Sequence, residues 1–269
     1  MNISNIENGE QLTFDINGNV AFVNAIRRTI LSQIPCVCFI TSPEKDNNLI
    51  IEKNTCGLNN EIIKQRFSNI PVYLKERDEM ILSNLEVQLN KKNDTTSLMD
   101  VTTEHFKIYD KTSEQFLSDT DVKKIFPPNQ ITKEYILICK LKPTFSDTIH
   151  GEEISCKSTL SISNASNLGC YNVAHTCMYR FNKDVARQEA TWEEKKSTII
   201  TETDSEAIIA NKRKNWMLGE GTKITIPNSF KFTLETLGVY SNLDIVNTAI
   251  SILINQFQMF IETTNYTIT

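Results

Sequence analysis

The chain has 269 residues, 40% hydrophobic and 23% charged, with only 8 Gly and 7 Pro, which excludes collagen-like, low-complexity and disordered classes. No stretch approaches the roughly 18 uninterrupted apolar residues of a membrane span, and the opening MNISNIENGEQLTF lacks the basic and apolar regions of a secretory signal. A formal net charge of -5 argues against holding nucleic acid by bulk charge.

In chain order, Gln11–Ile16 alternates polar and apolar residues and stops at Asn17-Gly18-Asn19, which predicts a half-buried strand and a turn. The period then changes. Val23, Ile26, Ile30 and Ile34 recur at helical spacing, Phe22 and Leu31 widen the stripe, and Pro35 stops the helix. Cys36–Ile40 and Leu49–Glu52 read as strands around a polar loop. Asn59 or Asn60 caps a second helix with Ile62, Ile63 and Phe67 on one face, ended by Pro71. Residues 75–130 mix short apolar runs with charge and read as a small mixed subdomain, broken at Pro127-Pro128-Asn129. Tyr135–Leu141, Ile154–Ile162 and Met178–Phe181 are predicted strands, and residues 182–216 one or two exposed helices. Phe230–Glu235 alternates as a strand closed by Gly238. Ser241-Asn242-Leu243-Asp244 resembles a capping box with Asp in place of Glu. It opens the strongest helix of the chain, with Val246, Ala249, Ile250, Leu253, Phe257, Phe260 and Ile261 in a stripe.

Catalytic constellations are weak. The seven cysteines are scattered and read as reduced thiols. Cys36 and Cys38, on one predicted strand, are expected to face opposite sides. Cys170, His175 and Cys177 lie close in sequence but match no common zinc spacing and lack a fourth ligand. Gly219-Glu220-Gly221 is a lone GxG in a polar loop, read as a turn, and His150 beside Glu152-Glu153 as a solvated loop. Asn, Ile and Lys are abundant, as an AT-rich genome would produce, so the sequons at Asn93 and Asn164 read as chance. The feature that stands out is Asn24, Arg27 and Arg28 on a helix with a broad apolar face, since arginine forks suit carboxylates or backbone carbonyls of a partner.

The run Phe22-Val23-Asn24-Ala25-Ile26-Arg27-Arg28-Thr29-Ile30-Leu31-Ser32-Gln33-Ile34-Pro35 resembles the alpha-type signature of multisubunit DNA-directed RNA polymerases. That family comprises bacterial alpha, archaeal D and the third-largest subunit of eukaryotic RNA polymerase II. Asn54–Val72 is similar to its next block, an acidic, apolar helix followed by an Ile-Pro turn. Phe230–Gly238 with the helix after it is similar to its C-terminal element, and the block order matches. The three blocks cover roughly a third of the chain; Lys140–Thr159 resembles the family more weakly.

The resemblance implies an α+β fold. A discontinuous dimerisation domain of sheet and long helices, 1–42 and 178–269, would be interrupted by an inserted mixed α/β domain, 43–177. It implies a non-catalytic assembly subunit of a nucleotidyltransferase complex. The chain would pair with a smaller alpha-like subunit, and the pair would dock the second-largest and then the largest subunit. Val23, Ile26, Ile30, Val246, Ile250, Leu253 and Phe257 are expected to face the smaller partner. Asn24, Arg27, Arg28, Glu61 and Arg66 are expected to face the second-largest subunit. No catalytic residue, metal or cofactor is expected in this chain, the catalytic magnesium lying on the largest subunit. DNA would be met only through the complex, and no membrane is expected.

The chain departs from the family in having no cysteine between Cys56 and Cys139, where eukaryotic members carry a zinc cluster, and in the Asn-rich loop Asn164–His175. No bacterial-type DNA-binding domain is expected after Ile261. The AT bias, the missing metal cluster and the short length suggest a diverged subunit of a large cytoplasmic DNA virus, working in host cytoplasm or virion, and otherwise a nuclear one. Two other functions remain open: a stand-alone interaction module that reuses the fold, and a thiol or zinc enzyme using Cys170, His175 and Cys177.

Overall fold

The computed structural model describes residues 2–76, 78–145, 150–201 and 204–267. The chain begins with β1 (Asn2–Asn8), β2 (Gln11–Asn17), α1 (Val20–Ser32), β3 (Cys36–Cys38), β4 (Leu49–Asn54), α2 (Asn60–Ser68) and α3 (Glu79–Asn84). Then come β5 (Leu85–Lys92), β6 (Met99–Thr102), β7 (Lys107–Asp110), β8 (Gln115–Phe116), α4 (Asp119–Ile125), β9 (Leu137–Leu141), β10 (Glu153–Thr159) and β11 (Ser161–Ser163). It closes with β12 (Ala174–Lys183), α5 (Val185–Ile199), α6 (Glu206–Leu218), β13 (Thr225–Thr236) and α7 (Asn242–Thr267). The fold is α+β, and β1–β2, β2–β13, β4–β10, β10–β5, β5–β7, β7–β8, β3–β11 and β6–β9 all pair antiparallel. Two compact units emerge: Met1–Arg28 with Ala174–Glu235, and Thr29–Val173 with Thr236–Thr269.

The first unit is built on a four-stranded sheet in the order β1-β2-β13-β12, which joins strands from both ends of the chain. Because side chains alternate along a strand, the register Ile16↔Phe230, Phe14↔Phe232 and Leu12↔Leu234 puts six apolar residues on one buried face. The Phe14 and Phe232 rings stack at 5.1 Å. β1 has no counterpart among the predicted strands. It is an edge strand with Ile3 and Ile6 exposed and a register shift between Ser4 and Glu7, where Asn5 takes φ 51°. The Asn5 amide donates to Asp15 at 2.7 Å. The predicted exposed helices are α5 and α6, but each buries a tryptophan, Trp192 and Trp216, whose centroids lie 5.5 Å apart. Arg213 pairs with Glu189 at 2.6 Å, and the Gln188 amide donates to the Gly221 carbonyl at 2.7 Å.

The second unit holds a five-stranded sheet, β4-β10-β5-β7-β8, and two short pairs, β11-β3 and β6-β9. Phe39, Phe67, Phe106 and Phe126 form an aromatic knot at its core, with centroids 4.9–6.2 Å apart in the contacting pairs. Asn59 caps α2 by accepting from the Ile62 amide at 2.9 Å. Ile63 and Phe67 are buried, whereas Ile62 is 38% exposed, because adjacent residues on a helix point about 100° apart. The segment predicted as one strand over 154–162 is two: β10 pairs with β4 and β5, and β11 with β3, changing partners around buried Leu160. Asn93 is completely buried and its amide donates to the Ser97 and Leu141 carbonyls, both at 2.8 Å, so this sequon is a structural asparagine.

Candidate subunit interface

The last helix, α7, has 26 residues and at about 1.5 Å per residue extends about 39 Å. Its start is tightly fastened. The Ser241 hydroxyl accepts from the Asp244 amide at 3.1 Å, and the Asp244 carboxylate bonds back to Ser241. Hydrogen bonds to Ser241 and then to Lys75 hold the Asp244 carboxyl below the usual carboxylate range. The predicted box is therefore present with Asp in the Glu position. Ahead of it, Gly238 takes φ 97°, a left-handed backbone that glycine adopts without a Cβ penalty. Its amide donates to the Thr236 hydroxyl, which in turn donates to the Tyr240 carbonyl at 2.7 Å. The Tyr240 hydroxyl reaches the Pro35 carbonyl at 3.0 Å.

Beyond this anchored start the burial of α7 changes sharply. Ile245, Ala249 and Leu253 are buried, and Val246 and Ile250 are half-buried. The turns after them turn apolar surface outward: Ile254 is 50% exposed, Phe257 57%, Phe260 69% and Ile261 58%. Exposed contiguous apolar surface of this kind marks an association site. On α1, Val23, Ile26 and Ile30 are 2% exposed or less within this chain, so their side chains have no surface left to offer a partner. The helical period reports that a face is buried, not what buries it.

The polar residues divide between the two units. On α1, the Arg27 Nε donates to the Asn24 Oδ1 at 3.0 Å, which fixes the guanidinium along the helix, and Arg28 is exposed. On α2, the Arg66 guanidinium donates to the Ile138 carbonyl at 2.7 Å, so its fork is partly used inside its own unit. Glu61 is exposed and lies 3.5 Å from Lys64, which also pairs with Glu44 at 2.7 Å.

The thiols sit in different surroundings. Cys177 Sγ donates to the Arg27 carbonyl at 3.8 Å, and burial pushes its thiol up to about 12, leaving it protonated at neutral pH. Burial likewise raises Cys170. The exposed His175 ring lies 3.6 Å from Glu235. Cys36 and Cys38 share one side of β3, contrary to the sequence expectation, because residues two apart on a strand face the same way. The Cys38 thiol donates to Cys36 and is thereby pushed up, while Cys36 donates to the Tyr171 carbonyl at 3.4 Å. Among the described residues no group of three or more His, Cys, Asp or Glu side chains could hold a metal ion, and no helix is long and apolar enough to cross a membrane.

Residues 13–257 match the RNA polymerase Rpb3/Rpb11 dimerisation domain. The chain belongs to that family. As a Rpb3/Rpb11-type dimerisation subunit it is an alpha-like component of a DNA-directed RNA polymerase. None of the curated proteins matches it in sequence.

Proposed function

We propose that this Rpb3/Rpb11-type subunit is an assembly platform. It pairs with a smaller alpha-like subunit, and the pair receives the second-largest and then the largest polymerase subunit. The observation that carries the reading is the exposed apolar surface of α7, centred on Phe257 and Phe260, in a family whose domain dimerises. Val246, Ile250 and the accessible edge of Leu253 extend that surface toward the start of the helix. Asn24, Arg27 and Arg28 are proposed to meet the second-largest subunit, with Glu61 and Arg66 as its contacts on the other unit. The dimerisation domain is proposed to run over 1–42 and 178–269 around an insert at 43–177; the sheet that joins both chain ends supports this reading, while residues 29–42 and 236–269 fall in the same compact unit as the insert. Catalysis, its magnesium and DNA contact are assigned to the larger subunits. A viral polymerase acting in host cytoplasm or virion is the proposed setting. Affinity purification of the tagged chain with mass identification of co-purifying proteins tests this. Recovery of a smaller alpha-like subunit and two large polymerase subunits is expected. A chain that purifies alone and monomeric refutes it.

A further inference from the structure

In the larger unit, β5, the Thr103–His105 turn, β7, β8 and α4 surround a cavity of about 520 Å³, within the roughly 300–1,000 Å³ typical of small-molecule sites. Buried Phe106, Val122 and Phe126 contribute to its lining. Lys91, Lys107 and Lys123 line it too, and among the described residues none of them makes an ion pair. Their chain neighbours behave differently: Lys92 pairs with Asp94 and Lys124 with Asp121, each at 2.7 Å. Three lysines without an ion pair are thus gathered at one place in a chain of net charge -5.

Two further features fit a ligand with both charge and a flat ring. Phe116, 55% exposed, and half-buried Tyr135 supply aromatic surface to the lining. His105 Nδ1 accepts from the Thr102 amide at 3.1 Å, so the neutral ring carries its proton on Nε2 and has that N–H as a donor. Burial and then the charge of Lys91 hold His105 below its ordinary value, which keeps it neutral at pH 7. Glu104 and Asp119 also line the cavity, so three lysines against two carboxylates leave it one charge positive.

We propose that this cavity binds a nucleoside phosphate, its phosphates on Lys91, Lys107 and Lys123 and its base against Tyr135 and Phe116. Ammonium groups bind phosphate as point charges, and base stacking on aromatic rings tolerates any base. The site goes beyond subunit assembly and does not depend on it. The same chemistry is presented by a free nucleotide or by the phosphorylated end of a single-stranded oligonucleotide.

The test is fluorescence anisotropy of mant-ATP titrated with the full chain, competed with unlabelled ATP, tripolyphosphate, adenosine and a short 5′-phosphorylated single-stranded oligonucleotide. Saturable, salt-sensitive binding is expected, with ATP competing better than tripolyphosphate or adenosine. Whichever of ATP and the oligonucleotide competes at lower concentration identifies the source. Lys91→Ala with Lys123→Ala should weaken binding about a hundredfold, since each hydrogen bond to a charged group contributes about a factor of ten. Tyr135→Ala should weaken it by about tenfold through lost stacking, and Lys45→Ala, outside the lining, should change nothing. Lys107→Ala alone provides a milder version of the lysine test, read against an unchanged melting curve. Absence of saturable binding, or equal affinity in the lysine variants, overturns the site; equal affinity in Tyr135→Ala overturns the nucleoside assignment.

Discussion

Truncating Phe257 isolates the proposed dimer surface from the chain's own core. Phe257 is 57% exposed, so of the roughly 200 Å² of a phenylalanine about 115 Å² faces water. Covering that area at about 25 cal/mol per Å² stabilises a complex by up to about 3 kcal/mol. Part of the gain is offset by ordering on association, leaving an expected loss of about 2 kcal/mol for Phe257→Ala, about thirtyfold in Kd. The comparison is Ile26→Val on α1, where the side chain is 2% exposed. That change removes a buried methyl group and should lower the chain's own stability by about 1 kcal/mol while moving Kd less than about twofold. Isothermal titration of the smaller alpha-like subunit into each variant, with parallel denaturant curves, separates the two effects. A Phe257→Ala chain that melts normally and binds within about twofold of wild type would refute the assignment of α7, as would an Ile26→Val chain with a Kd loss matching that of Phe257→Ala.

Arg27→Ala with Arg28→Ala should leave the small heterodimer intact but prevent recruitment of the second-largest subunit, read by size-exclusion chromatography of co-expressed subunits; wild-type yield of the complete enzyme counts against those residues. Ser241→Ala removes the cap of α7 and should cost about 1 kcal/mol in a denaturant midpoint. His105 titrates below its ordinary value of 6.5 because of burial first and Lys91 second. The unfolded chain therefore takes that proton more readily, so this contribution is complete above about pH 6.5 and is lost as pH falls through that value toward the folded one. His105→Gln, which preserves a capping-box acceptor for Thr102, should remove that part of the acid sensitivity in denaturant midpoints measured across the range. A Cβ at Gly151 would run into the Asn93 carbonyl, so Gly151→Ala should destabilise the larger unit by about 2–3 kcal/mol and lower its melting temperature.

What the sequence made legible follows from how burial is written into it. The strand at Gln11–Ile16 and the stripes of α1 and α7 were plain because each carries a period, and the cap of α2 was narrowed to Asn59 or Asn60 because capping is chemical. β1 was not, because its apolar residues Ile3 and Ile6 stay exposed and pairing alone holds the strand. Periodicity also could not distinguish Val23, Ile26 and Ile30, covered by this chain, from Phe257 and Phe260, left open by it. The split of 154–162 depended on which strands lay alongside, which no local pattern records. Lys91, Lys107 and Lys123 gave no signal because three separate elements, far apart in sequence, bring them to one cavity.

The tilted indole pair of α5 and α6 has a practical consequence. The chain has only 2 tryptophans, and both belong to the smaller unit. Emission excited at the red edge of the indole band, and the exciton couplet from two rings 5.5 Å apart, therefore report on that unit alone. The larger unit contributes to far-ultraviolet dichroism but is dark to this probe. Superimposable curves would mark one cooperative transition, while an offset between them would resolve two separately melting bodies without any label.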